Sequence, residues 1–229
     1  MSESLGTDLA VAFPVARVLE AVAGVVADYP PAALFALADE GYNALFEVTV
    51  ACIISVRTLE EDTFAVSRRL FARARTPAAI RALADDELLA LLFGSTFPEP
   101  KAAQIKAIAA RAETEFGGAL PADYDTLLSL PGVGPKCAAL ALGVSTGASP
   151  HTPVDVHVHR VTNRWRLVAT KTPEKTMAAL DARLEPAQRV RINRLLVPFG
   201  KHLCTAALPA CSSCPVALDC ARVGVGRHR

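Results

Sequence analysis

Apolar positions recur along this chain with the period of the α-helix. In PKAAQIKAIAARAETEF (100–116), Ile105, Ile108, Ala109, Ala112 and Phe116 follow the i, i+3, i+4, i+7, i+11 spacing. Similar stripes predict helices around 8–27, 31–39, 60–74, 84–93, 121–129, 155–168, 174–183 and 189–202. LFEVTVACIISV (45–56) is apolar on nearly every side. Its β-branched residues would suit a buried strand, but its length and its helical neighbours favour a buried helix. Breakers separate these pieces at Pro30 and Pro31, Pro77, Pro98 and Pro100, Gly117 and Gly118, Pro121, Gly132 to Pro135, Pro150 and Pro153. No segment alternates as strands do, and no repeat or low-complexity tract stands out. The pattern predicts an all-α protein of roughly ten helices.

Composition agrees with a globular chain. Its 229 residues are 52% hydrophobic and 21% charged, enough for one large domain or two small ones with a core that needs no staples. No apolar run reaches the ~18 residues of a membrane span; Arg17 and Glu20 break the N-terminal one. The start, MSESLGTD, has no basic region of the secretory kind, so a cytoplasmic location is expected. A ratio of 18 Arg to 6 Lys is compatible with a GC-rich bacterial source. The net charge of +1 hides an asymmetry. Residues 1–150 hold 11 Lys/Arg and 18 Asp/Glu, whereas residues 151–229 hold 13 and 5. The basic C-terminal third is either a phosphate-binding face or a solvated surface.

The chemistry-bearing residues cluster in three places. Cys204, Cys211, Cys214 and Cys220 fall within 17 residues, spaced C-x6-C-x2-C-x5-C. In a reducing compartment this suggests a metal site, either tetrahedral zinc or an iron–sulfur cluster. Zinc sites usually show two paired knuckles and a long spacer, which this spacing lacks. Cys52 and Cys137 lie in apolar helical runs and read as buried small hydrophobes.

LPGVGPKCAALALGV (130–144) follows the short amphipathic stretch YDTLLSL, giving helix, Gly-rich hairpin and helix, with Pro135 in the first turn of the second. The backbone N–H groups of Gly132, Val133 and Gly134 can hold a phosphate, although an ordinary αα-turn would use the same residues. Lys136 sits where the helix dipole disfavours an ammonium. Partial desolvation there would depress its pKa and make it a nucleophile; the alternative is a surface lysine paired with phosphate. In PVDVHVHRVTNR (153–164), Asp155 stands at a helix start, either as a cap or as a functional carboxylate. His157 and His159, at i and i+2, face different ways and read as capping or packing residues, not zinc ligands. Arg160 and Arg164 share a face and are either phosphate contacts or solvated.

LPGVGPK, then VDVHVHRVTNR, then the four cysteines, in that order, resembles the endonuclease III family, the helix-hairpin-helix DNA glycosylases that end in an iron–sulfur cluster. The resemblance runs from about residue 40 to 220. It implies two helical lobes with a DNA cleft between them: residues 39–150 as a bundle ending in the hairpin, and residues 1–38 joined to 151–229 as the cluster lobe. It implies that Lys136 forms a Schiff base with the sugar, that Asp155 stabilises the developing positive charge, and that Cys204, Cys211, Cys214 and Cys220 hold a [4Fe–4S] cluster. Gly132, Val133, Gly134, Arg57, Phe97 and Arg160 become candidate DNA contacts. The implied activity is removal of oxidised pyrimidines from duplex DNA, with cleavage 3′ of the abasic site by β-elimination. The implied protein is a nucleoid-associated monomer. Two other readings stay open. A monofunctional mismatch glycosylase would lack the imine-forming lysine; a non-catalytic iron–sulfur damage sensor would have no need of both Lys136 and Asp155.

Three departures from the family stand out. TAALPA, between Cys204 and Cys211, has none of the family's basic residues. Arg57 and Glu60 in IISVRTLEED (53–62) stand where relatives resemble Ser-Ala-Gln-Ala-Thr-Asp, so Arg57 either fills the gap left by a flipped base or contacts phosphate. GSTFPEPKA (94–102) replaces a short Gly-hydrophobic-aromatic-Asn-x-Lys-Ala loop; bracketed by Pro98 and Pro100 it reads as a longer loop, with Phe97 as a wedge and Glu99 repelling DNA. The departures predict intact chemistry with shifted or reduced activity on standard oxidised pyrimidines.

Overall fold

The computed structural model describes residues 13–229. The predicted helix start at residue 8 and the MSESLGTD stretch lie outside the described residues. The elements are α1 (Val15–Val26), α2 (Ala33–Asp39), α3 (Leu45–Ser55), α4 (Glu60–Arg73), α5 (Pro77–Ala82), α6 (Asp85–Leu91), α7 (Pro98–Phe116), α8 (Tyr124–Leu128), α9 (Pro135–Thr146), α10 (Val156–Arg164), α11 (Pro173–Asp181) and α12 (Pro186–His202), then one 3-10 turn (Cys211–Ser213). Among the described residues there is no strand, and no helix is long and apolar enough to cross a membrane.

Two departures from the predicted pattern share one cause. α5 was not foreseen, and α7 begins at Pro98. Proline stands in the first turn of α5, α7, α9, α11 and α12. There its missing N–H costs nothing and its fixed φ suits the helix. Pro77 and Pro98 therefore start helices and do not act as the breakers that sequence alone predicts. The 94–102 segment is consequently short, and Phe97 is the N-cap of α7 with a left-handed φ of 55°.

Buried side chains form two clusters. The first is built from α2 to α9 around α3, whose residues are buried on almost every side. The second is built from α1, α10, α11, α12 and the C-terminal loop, around Trp165 and Phe199. Leu34, Phe35 and Leu37 of α2 pack in the first cluster, although the implied division groups residues 1–38 with the second. α12 serves both: Val190 and Val197 face the first cluster, and Ile192, Leu196 and Phe199 the second.

Candidate active site

The N-termini of α9 and α10 meet at the seam between these clusters. The hairpin before α9 turns at Gly132, which has φ +79°, and a Cβ there would lie 2.6 Å from the Gln104 side chain. The positive φ favours glycine at that corner, and a side chain there would also have to displace the end of Gln104. Val133 does not offer a free donor: its side chain is in the core and its N–H donates to the Leu130 carbonyl at 3.1 Å. Gly134 is the N-cap of α9 in an extended conformation, and a Cβ there would meet nothing within 4 Å. Nothing inside the protein demands a glycine at that position.

Lys136, the second residue of α9, is half-buried in the wall of a cavity of about 270 Å³ shared with Val56, Cys137, Val154, Glu174 and Met177. Burial pulls its pKa down, but the Cys137 thiolate, with lesser influences from Cys52, Asp155 and Glu60, pushes it up further, so the pKa stands above the ordinary lysine value. The depression expected from the helix dipole and desolvation is overturned by these neighbours. Asp155 is the N-cap of α10: its Oδ1 accepts the N–H groups of His157 at 2.9 Å and Val158 at 2.8 Å. Capping and charge stabilisation are therefore not alternatives here. The cap uses one oxygen and fixes the carboxylate whose charge acts on Lys136.

His157 is half-buried against Gly200 and Arg160, and burial lowers its pKa. His159 Nδ1 pairs with Thr176 Oγ1 at 2.7 Å. Both pack, as their spacing predicts. Cys137 is buried, but it also lines the Lys136 cavity, which the small-hydrophobe reading missed. A hydrogen bond from Cys52, aided by the Lys136 charge and the Gly134 amide, outweighs burial and lowers its pKa to about 6.

Arg160 is not a free DNA contact. Its guanidinium donates to the Gly200 carbonyl at 2.8 Å and to the Cys204 carbonyl at 3.2 Å. Arg164 is buried and donates to the carbonyls of Thr205 at 2.7 Å and Ala206 at 2.8 Å, and to Cys204 Sγ at 3.4 Å. Arg160 ties α10 to Gly200 and Cys204 at the end of α12, and Arg164 ties it to the segment after Cys204. They were read as surface residues because the shared face points at another loop of the same lobe, which helical periodicity cannot reveal.

Cys204, Cys211, Cys214 and Cys220 line one partly open cavity together with Arg164 and Trp165. Among the described residues no three acid, histidine or cysteine side chains converge closely enough to hold one metal ion. Four thiols lining one cavity are a donor set suited to an iron–sulfur cluster or to zinc. Burial, reinforced by the other three cysteines, raises the Cys214 thiol to about 11.

The two departing loops touch each other. Thr96 N–H donates to Thr58 Oγ1 at 3.1 Å, and Thr96 Oγ1 donates to the Arg57 carbonyl at 2.9 Å. Beneath them Lys101 is 4% exposed, and its Nζ donates to the Ile54 carbonyl at 2.7 Å and Thr58 Oγ1 at 2.8 Å. Burial lowers the Lys101 pKa to about 8. Arg57 and Phe97 both hold left-handed φ values, 57° and 55°, unusual for residues with side chains. Val56, Leu59, Phe93 and Phe97, all exposed, crown the same two loops. Lys101 escaped the sequence analysis, although it sits four residues before Ile105 and so extends the buried stripe of α7.

Residues 50–186 match the family described as HhH-GPD superfamily base excision DNA repair protein. The chain is 37% identical over 171 residues to Endonuclease III-like protein 1 of Bos taurus, across 74% of this chain and 56% of that protein. It is 36% identical over 169 residues to Endonuclease III of Thermotoga maritima, across 74% and 79%. The matched region thus spans little more than half of the bovine relative. The fold is similar to that of a trapped Endonuclease III–DNA covalent intermediate, with TM-score 0.78 and 26% identity over 91% of this chain and 94% of that one. A thermostable thymine-DNA glycosylase shares the fold at TM-score 0.78 and 18% identity. Relatives in animals, plants and bacteria give no support to a specifically bacterial source. With its two helical cores, its hairpin and a family match over more than half its length, the chain belongs to the HhH-GPD superfamily of base excision DNA repair proteins.

Proposed function

We propose that this protein is a DNA glycosylase and abasic-site lyase that works through an imine on Lys136. The observation that carries the reading is that Lys136 lies within the field of the Asp155 carboxylate: α9 and α10 begin near one cavity, lined by Lys136 and by Val154, and the fixed carboxylate is among the groups that raise the amine's pKa. A lysine that merely met phosphate would need no fixed carboxylate beside it, and a binding-only sensor would need neither group.

The chemistry follows from charge. As a damaged base leaves a flipped-out nucleotide, positive charge grows on the sugar, and Asp155 offsets it. Lys136 enters as an ammonium, so its proton must pass to a base before attack, and the Asp155 carboxylate is placed to take it. The free amine bonds to C1′ as the base leaves with a proton, and the C1′–O4′ bond then opens to give the imine, O4′ becoming a hydroxyl; on a ready-made abasic site the same imine forms with loss of water. Departure of the C2′ proton then breaks the C3′–O bond. The strand is cut, and the 3′ end carries an α,β-unsaturated aldehyde once the imine hydrolyses.

The parts around this centre take supporting roles. Gly132, Gly134 and the N-terminus of α9 approach a phosphate, and the open space over Gly134 admits it. Arg57 and Phe97, on two loops tied by Thr96, enter the duplex beside the flipped nucleotide. Cys204, Cys211, Cys214 and Cys220 would hold a [4Fe–4S] cluster, which fastens the C-terminal loop and takes no part in the bond changes. The substrate class is oxidised pyrimidines in double-stranded DNA, with a preference shifted by Arg57 and Phe97.

The test is incision of duplexes carrying either thymine glycol or an abasic site. Both are expected to be cut, the abasic duplex faster. Cutting of the abasic duplex alone would remove oxidised pyrimidines as substrates, and cutting of neither would remove the lyase reading. Equal rates on both would contradict the shifted preference.

A further inference from the structure

Cys137 follows Lys136 directly, at the third position of α9, and the two residues share the wall of one cavity. Cys52, on α3, backs it from the core side, its thiol lying 3.8 Å from the Cys137 carbonyl. A thiol in this setting has a thiolate-favouring environment: a helix N-terminus and the Lys136 ammonium. Thiolates are soft nucleophiles. The lyase reaction makes a soft electrophile in this same cavity, since loss of the C3′ oxygen leaves C2′=C3′ conjugated to C1′.

We propose that Cys137 is a second nucleophile of this cleft, adding reversibly through sulfur to C3′ of the unsaturated aldehyde left on the DNA 3′ end. The inference rests on the lyase reading, which supplies the aldehyde. One bond forms, between Sγ and C3′. The C2′=C3′ electron pair moves to C2′, which takes one proton from water. No oxidant, reductant or leaving group is required, and reversal returns thiolate and aldehyde. The adduct would hold the cut end on the protein after the imine hydrolyses.

The experiment uses cluster-loaded Lys136→Ala protein and a nicked duplex whose 3′ end already carries the unsaturated aldehyde, made by amine-catalysed elimination. Methoxyamine then caps the aldehyde, which fixes a thioether without reducing any imine. A covalent protein–DNA band is expected, with the DNA mass located on Cys137. It should vanish with a 3′-hydroxyl nick and in Lys136→Ala/Cys137→Ala protein. Absence of the band from correctly folded Lys136→Ala protein, or its survival after loss of Cys137, would overturn the proposal. Because the aldehyde is supplied ready-made, the result does not depend on lyase activity. Borohydride trapping of the unsubstituted protein on intact abasic DNA tests that reading separately.

Discussion

Thr96 Oγ1 donates a hydrogen bond to the main-chain carbonyl of Arg57 at 2.9 Å, across 39 residues of sequence. The bond joins two loops whose exposed tips, Arg57 and Phe97, both hold left-handed backbone conformations. Such conformations cost on the order of 1–3 kcal/mol each and persist where surrounding contacts impose them. Thr58, Thr96 and Lys101 supply those contacts. The tips therefore act as one preformed unit. Thr96→Val should lower base release from a lesion duplex about tenfold, equivalent to about 1.4 kcal/mol of barrier. Incision of a ready-made abasic duplex should fall much less. Equal losses on both substrates would place Thr96 in general folding, not in opening the duplex.

The two hairpin glycines should separate stability from binding. Gly132→Ala meets both a positive φ and the Gln104 side chain, so it should destabilise the fold by about 1–3 kcal/mol in denaturant titration. Gly134→Ala meets no protein atom and should leave stability unchanged, yet weaken binding to abasic duplex by about tenfold, or about 1.4 kcal/mol. Unchanged binding for Gly134→Ala would remove the hairpin from the phosphate contact.

Arg164 should matter for the cluster loop and not for DNA. It is a buried cation satisfied by the carbonyls of Cys204, Thr205 and Ala206. Arg164→Met strips donors from those carbonyls, with an expected loss of about 3 kcal/mol and a fall in Tm of about 9 °C. With the proposed [4Fe–4S] cluster bound, its visible absorbance at about 400 nm should bleach faster in air. A salt dependence of DNA binding that flattens in this variant would instead make Arg164 a phosphate contact.

The pH dependence of imine formation has a definite sign. An amine reacts only when unprotonated, and Cys137, Cys52, Asp155 and Glu60 hold Lys136 above the ordinary lysine value against the opposing effect of burial. The exposed Glu174 carboxylate faces the same cavity. Imine formation should therefore still be rising with pH beyond neutrality. Cys137→Ala removes the first of these anionic influences and lowers the Lys136 pKa, so its rate profile should move to lower pH. A profile that stays in place would show that Cys137 carries no charge beside Lys136.

Much of this architecture was legible from periodicity. The stripes of α4, α7 and α12 are long, and α3 is apolar enough all round to declare itself buried. Proline was the main source of error, because Pro77 and Pro98 look alike as breakers and as first-turn residues until the cap before them is seen. Lys136 and Asp155 were legible as helix-start residues, and the four cysteines by their spacing. Their mutual placement was not, since it depends on α9 and α10 arriving from different cores. The roles of Arg160 and Arg164 were hidden for the same reason: a helical face is visible in sequence, but the loop it meets is not. The Lys136 pKa went the other way because three of the groups that raise it, Cys52, Glu60 and Asp155, are distant in sequence.

The central claim is that Lys136 attacks the sugar. Borohydride reduction during incubation with an abasic duplex tests it most directly. The unsubstituted protein should give a covalent protein–DNA band with the DNA attached at Lys136, and Lys136→Ala protein that keeps its fold and its DNA binding should give none. A band that persists without Lys136, or no band from protein that binds the abasic duplex, would contradict the account.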